Sequence, residues 1–341
     1  MEKIKMAIIG AGTWGTAHAA IFKGHYMAET LAVCDADKGK AERAAKEFGI
    51  PKVYTDYRAM LKEIPCDAVS IVTPDHLHAD IAVACAEAGK HMLIEKPLAT
   101  NKDDVYRIMD AVAKNKVRAM VDLHNRWNPP FALAKDAINR GELGTLHNGY
   151  FRLNDIKWVA TDLLPWAASS SILWFLGSHS LDTLNWMFNS KVIRVYSVAG
   201  RGVLRELGVD TVDTYLTTLE YKNGCIAQME NGWITPNGND NVNDMKCTIL
   251  GDKGMISIDT SNHTMIRQYT DTKASVPDVL VRNSVHGMVK GFAYESIRSF
   301  IEKLASGEDF IVSMEDAAQV SFVILAIMES AQKRMPVEIN I

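Results

Sequence analysis

The residues of this chain whose types and spacing could do chemistry are three glycines, an aspartate, a lysine and a histidine. Gly10, Gly12 and Gly15 form GxGxxG in "IIGAGTWGTAHAAIF", with Thr13 and Trp14 inside the pattern. Between a strand and a helix, the first glycine allows a tight turn. The second lets a pyrophosphate approach the backbone, and the third lets the helix pack close to the strand. The helix N-terminus then offers N–H groups and the positive end of its dipole to phosphate. Asp35 ends the next apolar run, "TLAVCDAD". A carboxylate there hydrogen-bonds a ribose diol and repels a 2′-phosphate, which points to NAD rather than NADP. Capping of the following helix, together with Asp37, is the structural alternative.

Lys96 stands in "HMLIEKP", between a carboxylate and a proline, at what reads as the end of a strand. Hydride transfer from an alcohol carbon leaves a proton on oxygen, and a positioned acid/base or cationic donor near that oxygen accelerates the step by ~10²–10⁴-fold. A surface lysine beside a turn is the other reading of the same residue. His179 and Asp182 lie three apart in "GSHSLD" and share a helix face, with Gly177 clearing space before the histidine. A histidine there also suits an ordinary core. His76 and His78 form an HxH, but no third ligand accompanies them at a suitable spacing, so no metal is expected.

The elements that must hold these residues follow from periodicity. Apolar runs ending at Ile9, Asp35, Thr73, Lys96 and His124 alternate with helical stretches such as "AERAAKEFG" and "NKDDVYRIMDAVAKNK". Strands separated by helices of this length build a doubly wound parallel sheet. Ligands of such sheets bind beyond the carboxyl ends of the strands. Asp35, Thr73-Pro74 and Lys96-Pro97 all fall at those ends, so Lys96 should share an edge with the glycine loop. This gives an α/β domain over residues 1–123.

Residues 124–341 read differently. After "FALAKDAINRGELG" come the strand "TLHNGYFRLNDIKW" and a long helix, "SSSILWFLGSHSLDTLNWMF". Paired strands follow, with hairpin turns at Asn223-Gly224 and Asp252-Lys253-Gly254, and two amphipathic helices close the chain. The expected domain is α+β, with an open, mainly antiparallel sheet covered on one face by helices. The other face is expected to join copies of the chain into a homodimer or homotetramer.

The net charge of −4 gives no reason to expect nucleic acid or an anionic membrane as partner. The five cysteines, Cys34, Cys66, Cys85, Cys225 and Cys247, are scattered and form no CxxC. They argue against a disulfide framework and fit a reducing cytoplasm. The opening "MEKIKMAIIGAG" runs straight into the glycine loop, so no signal peptide is expected.

Taken in order, these motifs resemble the Gfo/Idh/MocA family, the glucose–fructose oxidoreductase and inositol dehydrogenase relatives. The resemblance rests on "GAGTWG", "TPDHLH" (73–78), "AGKHMLIEKPLA" (88–99), "HNRWNP" (124–129), "GELG" (141–144), "GSHSLD" (177–182) and "LGDKGMISID" (250–259). It implies a Rossmann domain plus an open-sheet domain, with the site in the cleft between them. Lys96 would match the active-site lysine, and His179 the acid/base on the substrate oxygen. Thr73, Pro74, His78, Glu95 and Pro97 would edge the cofactor pocket, with Asn125 and Arg126 near nicotinamide and substrate. The implied activity is NAD-dependent oxidation of a ring hydroxyl of a sugar, cyclic polyol or glycoside. A redox-neutral glycosidase or epimerase retaining its NAD, and a non-catalytic NAD-binding protein, are the alternatives.

One departure stands out. Catalytic members often carry DxxxH in the long helix, whereas Phe175 stands four residues before His179 here. Phenylalanine accepts no hydrogen bond, so Asp155 or Asp182 is expected to supply the carboxylate. Trp158, Trp166 and Trp174 would offer stacking surface for a sugar.

Overall fold

The computed structural model describes residues 2–261 and 265–339, which divide into two compact units. The first takes the chain up to Trp127 together with Leu280–Ser321. The second takes Asn128–Val279 and the chain from Phe322 onward. The return of Leu280–Ser321 to the first unit leaves no local mark in the sequence, because docking of a segment depends on the surface it meets.

In the first unit, β1 (Ile4–Ile9), α1 (Thr13–Gly24), β2 (Ala28–Cys34), α2 (Lys38–Phe48), β3 (Lys52–Tyr54) and α3 (Tyr57–Glu63) lead the chain. Next come β4 (Ala68–Ile71), α4 (His78–Glu87), β5 (His91–Ile94), α5 (Lys102–Asn115) and β6 (Ala119–Val121). The strand order is β3-β2-β1-β4-β5-β6, with every pair parallel. Met6 to Ile9, Ala68 to Ile71 and Met92 to Ile94 are all buried, as expected of a sheet with helices on both faces. Asp37 and Asp56 accept hydrogen bonds from the first turns of α2 and α3, the usual solution for unpaired N-terminal N–H groups.

The second unit holds α6 (Pro129–Asn139), β7 (Leu146–Ile156), α7 (Ser178–Phe188), β8 (Val192–Gly200), a one-turn α8 (Val203–Glu206), β9 (Thr214–Tyr221) and β10 (Ile226–Thr235). β11 (Asn243–Gly251) and β12 (Met255–Asp259) follow. Further along lie α9 (Phe292–Ser306) in the first unit, α10 (Met314–Lys333) and a short strand, Val337–Glu338. The sheet order is β12-β11-β7-β10-β9-β8 with Val337–Glu338 at its edge. Both expected hairpins form, β9–β10 and β11–β12. The pair β7–β10 is parallel, so the sheet is mixed and mostly antiparallel. A parallel neighbour needs a long crossover, and here the crossover contains α7.

Register sorts the sheet's side chains. Leu153 pairs across from Asn231 and Met245, and these residues are buried together with Phe151, Met229 and Asp155 on the face that α7 covers. One residue out of phase, Val198 lies opposite Leu216, and Glu220 opposite Ile226. Tyr196, Val198, Leu216 and Ile226 are all exposed in this unit.

A local difference from the sequence reading precedes α7. The stretch Leu173–Gly177 is a π-turn rather than α-helix. Such turns admit one extra residue and recur at functional sites.

Gly15 sits where a Cβ would stand 1.9 Å from the Gly10 carbonyl oxygen. Gly15→Ala is expected to cost upward of about 3 kcal/mol, because backbone rather than a flexible side chain would have to yield. Urea unfolding of the two proteins measures it.

Candidate functional site

The parallel strands deliver their C-terminal ends, Ile9, Cys34, Ile71, Ile94 and Val121, to a single edge of the first sheet. The glycine loop, Asp35, Thr73-Pro74, Glu95–Pro97 and Asp122–Asn125 therefore gather along it. A Cβ at Gly12 would meet nothing within 4 Å, so the space beside the loop is open. Gly12 also caps α1 without any side-chain hydrogen bond, and no acidic residue occupies the first turn. Thr13, Trp14 and Gly15 open that turn, and an uncapped helix end with open space in front of it suits a pyrophosphate.

Asp35 accepts the Ala11 N–H at 2.7 Å through one carboxylate oxygen and the Asp37 N–H at 2.8 Å through the other. Each oxygen has a second lone pair, which suits a ribose hydroxyl. The carboxylate thus ties the glycine loop to the end of β2. The open cradle, the uncapped helix and the acid together fit a dinucleotide.

At the next strand ends, His78 is fully buried. Its Nδ1 lies 2.8 Å from the Pro97 carbonyl oxygen and its Nε2 3.0 Å from that of Thr73. Burial pulls its pKa down from the usual imidazole range, although both carbonyls oppose this. His78 therefore acts at this edge by tying Thr73 to Pro97. Lys96 is half-buried beside buried Glu95 and Pro97, and the Lys96–Pro97 bond is cis.

Asn125 and Arg126 are both buried. One Arg126 nitrogen donates to the Ile311 carbonyl at 2.8 Å, and another lies 3.1 Å from Asp316 at the start of α10. The guanidinium expected to face substrate is thus anchored to the segment that returns to this unit.

Below Lys96 lies a cluster that the sequence reading missed. His18 from α1, Glu95 after β5 and Asp122 after β6 are buried, with one ligand-type atom from each lying within 4.8 Å of the others. His18 Nε2 is 3.1 Å from Glu95 Oε1, and the Ser70 hydroxyl is 2.8 Å from His18 Nδ1. Burial pushes the Glu95 carboxyl up to about 7, with the Lys96 charge opposing. Burial and then the Glu95 charge push Asp122 well above the carboxylate range. His18 is held down to about 4, chiefly by burial. His124 is held down to about 3 by burial and then by the charge of Lys96. Trp14 stacks on Tyr294 with ring centroids 6.0 Å apart and packs by His124.

In the second unit, α7 carries His179 and Asp182, both buried, one turn apart. The Thr183 hydroxyl donates to the His179 carbonyl at 2.7 Å. Asp155, near the end of β7, is buried and accepts from the Asn243 side-chain amide. Asn231 on β10 donates to the Ser180 hydroxyl and to the Leu153 carbonyl, both at 3.0 Å. Trp158 and Trp166 are substantially exposed, whereas Trp174 is buried in the packing. Phe175, four residues before His179, lies edge-on to Trp166 with centroids 6.1 Å apart.

Two family profiles cover most of the chain. Residues 4–123 match the oxidoreductase family with an NAD-binding Rossmann fold, and residues 135–339 match the C-terminal alpha/beta domain of the same family. The chain is 27% identical over 350 residues to scyllo-inositol 2-dehydrogenase (NAD(+)) of Bacillus subtilis, covering 100% of this chain and 97% of that protein. It is 25% identical over 338 residues to myo-inositol 2-dehydrogenase of Thermotoga maritima, covering 99% of each. A crystal structure of scyllo-inositol dehydrogenase from Lactobacillus casei, with NAD(H) and scyllo-inositol, superposes with a TM-score of 0.83 at 19% identity over 99% of each chain. That last likeness speaks for the fold.

Replacing His78 by alanine would take the ring's single N–H from between the Pro97 and Thr73 carbonyls and open a cavity. His78→Ala is expected to lose about 2–4 kcal/mol, read as a lower denaturation midpoint at unchanged slope.

Proposed function

The chain belongs to the Gfo/Idh/MocA oxidoreductase family, and from that premise we propose that it oxidises a ring secondary hydroxyl of a sugar, cyclic polyol or glycoside. It is an NAD-dependent oxidoreductase acting on CH–OH groups. The observation that carries the finer reading is the place of Lys96, on the strand edge that also bears the open glycine cradle and Asp35.

When bound, NAD supplies the hydride acceptor. In this reading the uncapped turn of α1 holds the pyrophosphate, and Asp35 holds the adenine-side ribose while disfavouring a 2′-phosphate. Thr73-Pro74 and Glu95–Pro97, fixed to one another through His78, would line the nicotinamide end of the cofactor together with Asn125. The Lys96 side chain holds the reacting oxygen, and His179 takes its proton. Asp155 or Asp182 stands in for the carboxylate that is absent at Phe175, and the exposed rings of Trp158 and Trp166 give a sugar an apolar face. Arg126 serves the substrate side by fixing the chain after Asn125.

The exposed apolar residues Tyr196, Val198, Leu216 and Ile226, on the sheet face opposite α7, support assembly of copies into a homodimer or homotetramer. Among the described residues no helix is long and apolar enough to cross a membrane.

Two experiments test this reading. NADH formation is measured across inositols, hexoses, sugar acids and glycosides. One class is expected to turn over, with Lys96→Ala lowering kcat by about 10²–10⁴-fold. Asp155→Asn or Asp182→Asn should lower kcat as well, and intact turnover in both would remove them from the mechanism. Product formed without net NADH would move the reading to redox-neutral chemistry. In light scattering, Leu216→Glu combined with Val198→Glu is expected to shift the particle toward monomer mass, and an unchanged mass would place the interface elsewhere.

A further inference from the structure

Three buried ionisable side chains, from three different elements, meet beside Lys96, and the reaction scheme gives none of them a proton to carry. We propose that His18, Glu95 and Asp122 share one carboxyl proton and so hold a single negative charge beside Lys96, a charge that favours the cationic nicotinamide of NAD+ over neutral dihydronicotinamide. This rests on reading the Lys96 end of β5 as the nicotinamide site.

The geometry fixes the proton count. Neither Asp122 oxygen has a donor in full hydrogen-bond geometry, and the polar groups facing it are Glu95, His18, the Ser296 hydroxyl of α9 and His124, whose Nδ1 is 3.9 Å from one oxygen. An ionised, fully buried carboxylate in that position would be desolvated without compensation. Two ionised carboxylates this close would also repel each other, so one proton stays between them. Asp122 then donates to Glu95, which also receives the Trp14 indole N–H. His18 is complete as a neutral ring, accepting from the Ser70 hydroxyl at Nδ1 and donating from Nε2 to Glu95. Glu95 therefore holds the charge, with every donor around it engaged.

The groups facing this charge are known from each packed element. α1 gives His18 and Trp14, β4 gives Ser70, and the chain after β6 gives Asp122 and His124. α9 gives Ser296 and Tyr294. The Lys96 charge reaches Glu95 and opposes the effect of burial. His124 is held neutral by the same surroundings and does not cancel the charge. As pH falls through about 7, the cluster takes up a second carboxyl proton, on Glu95, and becomes neutral.

Isosteric variants separate charge from structure. Glu95→Gln removes the charge and keeps the size of the side chain, with one amide oxygen still accepting and the NH2 in place of the second acceptor. Asp122→Asn keeps the charge, because its amide donates to Glu95 as the acid did. The ratio of NADH to NAD+ dissociation constants is expected to shift at least tenfold toward NADH in Glu95→Gln, since a unit charge within about 12 Å at an effective dielectric of ~20 contributes that much. Asp122→Asn should leave the ratio unchanged. Wild type should follow Glu95→Gln as pH falls through about 7. Equal shifts in the two variants would mean a structural role and overturn the proposal.

A second readout needs no cofactor. Infrared difference spectra of the cofactor-free full-length protein, taken well above the pH of about 7 at which Glu95 titrates, should show a protonated carboxyl C=O band, present in Glu95→Gln and absent in Asp122→Asn. No such band, or stoichiometric metal in the purified protein with both carboxylates ionised, would overturn it. Failure of both nucleotides to bind, with the infrared band intact, would count against the functional reading and not against the proton sharing.

Discussion

A methyl group at Gly15 would overlap the carbonyl oxygen of Gly10, and one at Gly10 would stand 2.3 Å from the Val72 carbonyl oxygen. Helix α1 thus lies against β1 at a separation that only glycine permits, and much of the first unit's chemistry follows from it. The close approach aims the uncapped first turn of α1 over the sheet edge, where the open space beside Gly12 remains. It also sets His18, one turn further along α1, against Ser70 of β4 and Glu95 after β5. A phosphate cradle and a buried polar cluster are two results of one packing constraint.

Parallel strands supply the second ingredient. With the ends of all six parallel strands at a single edge, residues far apart in sequence become neighbours without any long loop to place them. Hydrogen bonds then lock the edge. Asp35 ties β2 to the glycine loop, and His78 ties Thr73 to Pro97. Each tie uses a group that might otherwise be assigned to ligand contact, so the frame and the site draw on the same residues.

The second unit solves a different problem. Its sheet has one face under α7 and one exposed, and alternation along β7 sends Asp155 to the covered side and Arg152 to the other. The π-turn before His179 lies where the family pattern has its aspartate and this chain has Phe175. A turn that takes in an extra residue changes which side chains stand one turn below the histidine, so spacing along the sequence alone misjudges its neighbours.

The sequence by itself determined what depends on local spacing: the GxGxxG turn, the acid at the end of β2, the lysine and proline ending β5, and both hairpins. Glycine, proline and alternation act over a few residues, so their consequences are legible without a fold. The His18–Glu95–Asp122 cluster was not legible, because those positions come from three elements and meet only once α1 is seated and the strands are in register. The anchoring of Arg126 by Ile311 and Asp316, and the parallel pairing of β7 with β10, were equally hidden. Each joins residues distant in sequence. Burial decided the remainder: the same carboxylate that would be an ordinary surface charge on an exposed strand end becomes, at Glu95 and Asp122, a group that must share its proton.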